Sequence, residues 1–241
     1  MNKKRLIIGG ILVILIIIIV IFCSIYFRSK NKINVVLKVS ENVLELNDDP
    51  KRNMYIKQSY NDIYFTETYK YNGIEKSIEY YKEDAVKYTD IRTSDKTYMY
   101  LETDDGATKL MTIIDNDEEN NYDYVNFEDM ADDYSYIKTI SETISVAKNI
   151  KLSSEKFQNK DCYVIEYTDS SLIQYIDKKT YLPLKIVSDE TDIQIYEYSF
   201  DTVTESDVSL LDESAFTLLS EEEFENYNLW KKSSPELFFR I

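Results

Sequence analysis

From Met54 to Ile114 the chain alternates apolar and polar residues almost without a break. The runs are MYIKQSY, DIYFTETYKYN, KSIEYYK, AVKYTDI, KTYMYLET and TKLMTII, separated by short polar clusters. A period of two over so many residues fits one arrangement, strands with one face turned to a core. Tyr, Ile, Val and Thr dominate these runs, as a pleated, half-buried surface prefers. Asn72-Gly73 and Asp105-Gly106 supply turn signals between neighbouring runs. This stretch reads as an antiparallel meander of five or six strands.

The period then changes. After the acidic run Asp115 to Asp129, the residues Phe127, Met130, Ala131, Tyr134, Ile137, Ile140, Ile144 and Ala147 recur at spacings of three and four. That pattern predicts one amphipathic helix near 126–148, with Met130, Tyr134, Ile137, Ile140 and Ile144 as a stripe to be buried against a sheet. Alternation resumes in IKLSSEKF, DCYVIEY, LIQYIDK, LPLKIVS and DIQIYEYSFDTV, a second meander. Before the first meander, Ile33, Val36, Leu37, Val43 and Leu44 predict a helix over 31–46, stopped by Asn47-Asp48-Asp49-Pro50. After the second, Ser220 and Glu223 form a capping-box signature that opens a short helix through Trp230. The organisation expected is an anchor over 1–28, one domain over 29–218 and a tail over 219–241.

Leu6 to Phe27, LIIGGILVILIIIIVIFCSIYF, carries no charge. As a helix it spans roughly 33 Å, enough for a bilayer core. A secretory signal has a shorter apolar region and a small-residue cleavage site, and neither is found here. Cys23 is the possible lipidation position, but Phe22 stands where a lipoprotein signal has a small residue. The reading is a single-pass cell-membrane anchor with the N-terminus in the cytoplasm and the domain outside. Basic residues flank both ends of the span, so charge counting leaves the orientation open.

All 44 acidic residues and all but four of the 28 basic ones lie beyond Arg28, so the domain is more acidic than the net −16 of the chain. Such a surface repels phosphate backbones and excludes nucleic acid as a partner. There is no histidine, which removes Ser/His and Cys/His nucleophile pairs and imidazole zinc ligands. Four glycines and no phosphate-loop motif leave no nucleotide cradle. The acidic run fails as a calcium loop because Tyr122 stands where the sharp turn needs glycine. Two carboxylates suffice for glycoside hydrolysis, so a carboxylate-based hydrolase stays as the weakest reading. No metal, cofactor or catalytic residue is assigned. Cys162 has no second cysteine in the domain and reads as a small buried hydrophobe. Tyr, Ile, Lys and Asn are abundant, the composition of an AT-rich genome, and point to a low-GC Gram-positive bacterium.

The aromatic residues carry the binding hypothesis. Alternation puts Tyr163, Ile165 and Tyr167 on one face of their strand and Tyr196, Tyr198 and Phe200 on one face of theirs, with Tyr175 between. Strands apolar on one face and aromatic on the other need cover on both, or present one to a ligand or partner. The stretch NKDCYVIEY, then SLIQYIDKKTYLPLKI, then an aromatic strand ending SFDTV, resembles the LolA-like superfamily of lipoprotein carriers. Asp177, Lys178, Lys179, Thr180, Leu182 and Pro183 match its turn, and Asp212 to Leu218 is similar to its closing segment. The resemblance covers about residues 31–218. It implies a mainly β, α+β fold: an unclosed antiparallel β half-barrel wrapped around a helical plug, here preceded by a transmembrane helix. Size and N-terminal layout are also similar to GerS-type germination lipoproteins, which partner a cortex-modifying amidase. An anchored protein cannot shuttle between membranes. The expectation is therefore a non-catalytic, extracytoplasmic binding protein of the cell envelope for a lipid, another apolar ligand or a protein partner, with sporulation as one setting. The oligomeric state stays open, with an exposed edge strand or the tail LFFRI available for pairing with another copy.

Overall fold

The computed structural model describes the backbone of residues 3–48, 52–61, 63–116, 140–189 and 192–232, and side chains over 20–46, 52–61, 63–116, 142–189 and 192–227. The fold is mainly β, with twelve strands and three helices among the described residues. The chain divides into two compact units, one of Met1–Leu44 with Met130–Pro183 and one of Glu45–Asp129 with Leu184–Ile241.

The second unit holds the first meander. Strands β1 (Met54–Tyr60), β2 (Tyr64–Tyr71), β3 (Ile74–Tyr81), β4 (Val86–Arg92), β5 (Lys96–Thr103) and β6 (Lys109–Asp115) follow the alternating runs of the sequence. Each pairs antiparallel with the next. The β2–β3 turn works as the sequence expects. Asn72 and Gly73 both have positive φ, 51° and 83°, and this type of turn matches the twist of the flanking strands. On the far side β1 pairs with β11 (Ile193–Phe200), which pairs with β10 (Pro183–Val187). The short β12 (Thr217–Leu218) lies parallel to β6.

Helix α3 (Glu221–Lys232) packs on one face of this sheet, over β4 to β6. Its capping box forms: Ser220 Oγ accepts from the Glu223 N–H, and the Glu223 carboxylate accepts from the Ser220 N–H. Phe224, on the first turn, is buried with Val86 and Leu101, and Tyr88, Met99, Leu110, Leu219 and Tyr227 pack around them. On the opposite face Ile91, Tyr100 and Met111 are buried beneath Leu211 and Phe216. The segment after β11 thus crosses one face, pairs at the β6 edge and returns over the other. Asn53 fixes its start, donating to the Val203 carbonyl at 2.7 Å and accepting from the Val203 N–H at 2.9 Å.

The first unit holds β7 (Ile150–Phe157), β8 (Lys160–Tyr167) and β9 (Ile173–Asp177), an antiparallel set in that spatial order. It also holds α2 (Ile140–Lys148) and α1 (Lys3–Asp48) as far as Leu44. The helix expected over 31–46 is therefore the last part of a much longer one. Val35, Val36, Val39 and Val43 form its buried stripe, while Val20, Ile21, Phe22, Ile25, Tyr26 and Phe27 are all exposed. Among the described residues no helix is long and apolar enough to cross a membrane. Most side chains of the Leu6–Phe27 run lie outside them.

Only the end of the helix expected over 126–148 can be compared. Met130, Tyr134, Ile137 and the acidic run from Asp117 lie outside the described residues, as does the side chain of Ile140. Ile144 departs from the expected stripe: it is 36% exposed, and the buried residues are Thr143 and Ala147. A helix turns about 100° per residue, so a stripe centred on 143 and 147 leaves position 144 at its rim.

Candidate functional site

The aromatic residues singled out in the sequence fall in two places. In the second unit, Gln194, Tyr196, Tyr198 and Phe200 share one face of β11. The β1 register sets Tyr60, Gln58, Ile56 and Met54 directly opposite them. The rings stand parallel along the strand, Tyr196 to Tyr198 at 6.2 Å and Tyr198 to Phe200 at 6.5 Å, with interplanar angles of 10° and 9°. That spacing is the i to i+2 repeat of a strand, so the backbone sets the row. Met54, Ile56 and Tyr196 are buried beside it. Burial holds the Tyr198 phenol far above its ordinary pKa.

The surface is amphipathic along its length. The Phe200 end is apolar apart from the Arg52 guanidinium, which lies 5.0 Å from the centre of the Phe200 ring, and the other end is a hydrogen-bonded cluster. The Gln58 amide donates to the Tyr196 hydroxyl at 3.1 Å and to the Tyr60 hydroxyl, and Tyr196 donates to Gln194 Oε1 at 2.7 Å. From Tyr60 a second aromatic row runs across the strands. Tyr60 and Tyr64 are 5.3 Å apart, Tyr64 and Tyr81 4.7 Å, and Tyr81 and Tyr88 5.9 Å. Tyr81 donates to Glu79 at 3.1 Å. Burial, reinforced by the Glu79 charge, pushes the Tyr64 and Tyr81 phenols well up; burial with Asp84 and Glu79 takes Tyr88 up to about 12. Gln58, Tyr60, Tyr64, Tyr81 and Tyr88 were not singled out from sequence. The Asn72-Gly73 turn was the available signal, since its register sets Tyr64 opposite Tyr81.

Next to this row the same face turns polar. Thr66, Thr68, Ser77, Thr97 and Thr112 are buried, and Lys70 pairs with Glu75 at 2.9 Å. A small cleft among Glu75, Ser77, Asp90, Arg92 and Thr97 has room for about one water molecule. An acyl chain laid over these positions would strip the half-buried charges of Lys70, Glu75, Asp90 and Arg92 of water without replacing its hydrogen bonds.

Tyr163, Ile165, Tyr167 and Tyr175 belong to the first unit. The β8–β9 register pairs Val164 with Tyr175, so Tyr175 lies on the face opposite Tyr163 and Ile165. There its ring meets Phe157 at 5.7 Å. Ile165 is 1% exposed, and Cys162 is fully buried, where desolvation raises its thiol pKa. Tyr163 faces the Tyr181 ring at 5.9 Å. Lys178 sits over Tyr163 at 5.1 Å and Lys38 of α1 over Tyr181 at 4.6 Å. Lys32, two turns earlier on α1, donates to the Ile150 carbonyl at 2.6 Å. The amphipathic half of α1 thus packs on the Tyr163 side of this sheet. The Asp177–Pro183 turn presents Tyr181 by closing on itself: Tyr181 N–H donates to the Asp177 carbonyl and Lys179 N–H to Asp177 Oδ1. Cys23 is exposed on α1, among the apolar residues that end at Phe27.

No family model matches the chain. No curated protein matches it either. Among solved structures it is similar to an uncharacterized conserved protein from Thermus thermophilus, at 10% identity over 78% of this chain and 97% of that one, with a TM-score of 0.34.

Proposed function

We propose that this chain is a membrane-anchored, non-catalytic binding protein of the cell envelope, with its domain on the outer side of the membrane. The observation that carries the proposal is α1. Its apolar residues Val20 to Phe27 are exposed, Phe22 at 68%, on the same unbroken helix whose following turns are docked on β7–β9. Water does not tolerate an apolar helix surface of that kind, whereas a bilayer does. The sequence extends it back to Leu6, which gives a full span. Extraction at alkaline pH tests the anchor: the full chain stays with the membrane pellet, and a chain starting at Arg28 is released. Release of the full chain refutes it. For orientation, Ser170→Cys in a chain lacking Cys23 is labelled in intact cells by a membrane-impermeant maleimide if the domain is outside.

Of the two kinds of ligand expected, a protein partner is the better supported. The central strands of the second unit bury hydroxyls and hold the half-buried charges of Lys70, Glu75, Asp90 and Arg92 on the face that carries the tyrosine rows, chemistry that suits a hydrogen-bonding partner. The β1–β11 strip favours the lipid reading, because Phe200, Tyr198, Ile56 and Met54 form an apolar end next to the Gln58 cluster. Lipid extraction of protein purified from its own membranes, followed by mass spectrometry, decides between the two. Stoichiometric lipid lost in Tyr198→Ala would favour the strip. The half-barrel around a helical plug belongs to this proposal; the plug expected from sequence is the 126–148 helix, whose described part buries Thr143 and Ala147, while the apolar stripe on the Tyr163 side of the first unit belongs to α1.

A further inference from the structure

We infer that the outer edge of β7 is a docking site for an extended segment of a partner protein, added as a further strand. The inference rests on the anchored, partner-binding reading above and names the surface that does the binding. β7 ends the strand order of its unit, paired with β8 on one side. The hairpin register fixes where its backbone groups point. Gln158 and Asn159 have positive φ in a two-residue turn, and Phe157 is opposite Lys160. In such a hairpin the residues flanking the turn exchange both hydrogen bonds, and every second residue does the same. Lys151, Ser153, Glu155 and Phe157 therefore face β8, while Ile150, Leu152, Ser154 and Lys156 direct N–H and C=O outwards. Two contacts agree with this parity. Lys32 reaches the outward Ile150 carbonyl, and the Thr168 N–H bonds to Asn149 on the β8 side. Among the described residues the outward groups of Leu152, Ser154 and Lys156 have no partner.

The edge is long, with eight residues, carries no proline, and pairs with β8 without a bulge. Ser153 to Lys156 are exposed in succession, so both faces of the strand are open. Those are the features that natural edges usually suppress. Lys151 and Glu155 share one face of it. An incoming antiparallel strand is best matched by an acid opposite Lys151 and a base opposite Glu155.

A second copy of this chain does not fit. Two β7 edges pair antiparallel about a two-fold axis perpendicular to the sheet. α1 lies along that sheet, so the axis would point the two anchors in opposite directions, away from a shared bilayer. The occupant is therefore an extended segment of another protein.

The test uses the full chain in nanodiscs and a capped peptide of the β7 sequence, IKLSSEKF, as the strand probe. Antiparallel addition with Lys151 opposite the peptide glutamate sets Leu152 and Ser154 in hydrogen-bonded pairs. The expected result is at least about tenfold slower hydrogen exchange at the Leu152 and Ser154 amides, with Ser153 and Glu155 unchanged. A peptide with its first lysine and its glutamate interchanged binds about tenfold more weakly, and the K151E/E155K chain restores it. Ser154→Pro removes an outward N–H, keeps the β7–β8 ladder and abolishes protection. If Ser154→Pro does not fold, the charge-exchange pair decides alone. No protection at millimolar peptide, protection indifferent to charge exchange, or a nanodisc dimer seated on this edge overturns the inference. Failure here with the chain still resisting alkaline extraction sinks the edge and leaves the anchor standing.

Discussion

Phe224→Ala measures whether α3 is part of the fold or a loose tail. Phe224 is 2% exposed and meets Val86 and Leu101, themselves buried, inside a ring of five partly buried apolar side chains. Truncating a buried phenylalanine to alanine costs about 3–5 kcal/mol when the cavity cannot collapse. Here collapse has a ready alternative. A twelve-residue helix is marginal alone, so α3 can undock instead of leaving a void. The cost then stops at the docking free energy of α3, which places the expected loss near the lower end, about 3 kcal/mol. For a chain of this size that is a fall in Tm of roughly 6–12 °C. Thermal and urea unfolding followed by circular dichroism read the global change. Hydrogen exchange at Val86 and Leu101 reads the local one and should accelerate before the global transition. A Tm within about 1 °C of the parent would refute the reasoning and make the Phe224 contacts incidental.

Ionisation of tyrosines packed on both faces of the second unit's sheet makes the fold sensitive to base. Tyr69, Tyr88 and Tyr100 are raised to about 12, each mainly by burial, and Tyr64 and Tyr81 further. A raised folded pKa means the folded chain holds its proton where the unfolded chain has lost it. These groups therefore leave stability unaffected below about pH 10 and lower it above that, as the unfolded chain ionises first. Absorbance at 295 nm should show these groups ionising together with unfolding, and independent, non-cooperative titration near 10 would contradict the burial. Asn53→Ala leaves both the Val203 N–H and C=O without their partner and should cost about 2–3 kcal/mol in urea unfolding. No change would mean that water replaces the amide. Lys32→Ala removes a charge-assisted bond to the buried Ile150 and should cost about 1.5–3 kcal/mol, read as faster exchange at the start of β7.

The strands were legible because period two and turn chemistry are local properties. Each alternating run became a strand, and Asn72-Gly73 made the turn its residues require. Ser220 and Glu223 announced their helix for the same reason. Partnership was harder to read. Alternation separates Tyr163 from Cys162 but does not say what covers either face. That Lys38 and Lys32 of α1 meet the Tyr163 side depends on contacts more than a hundred residues apart in sequence. Ile144 shows the limit of a periodic pattern. Of the expected stripe, Ala147 is buried and Ile144 is not; Thr143, which the apolar pattern passed over, takes the buried place beside Ala147. The Tyr60–Tyr64–Tyr81–Tyr88 row needed three strand registers at once, of which only one was marked by a strong turn.

The unbroken course of α1 gives this protein a drive shaft. Nothing between Phe27 and the first docked residue, Lys32, interrupts the helix, so if the exposed apolar turns of α1 are the anchor proposed above, the first unit would not swivel as a domain on a flexible stalk does. One residue added there would lift it by 1.5 Å and turn it by about 100° about the helix axis. On the anchored reading proposed above, the phase of a few solvent-exposed helical residues would set the compass direction in which the β7 edge looks across the membrane surface, and a tilt of α1 would become a tilt of that edge.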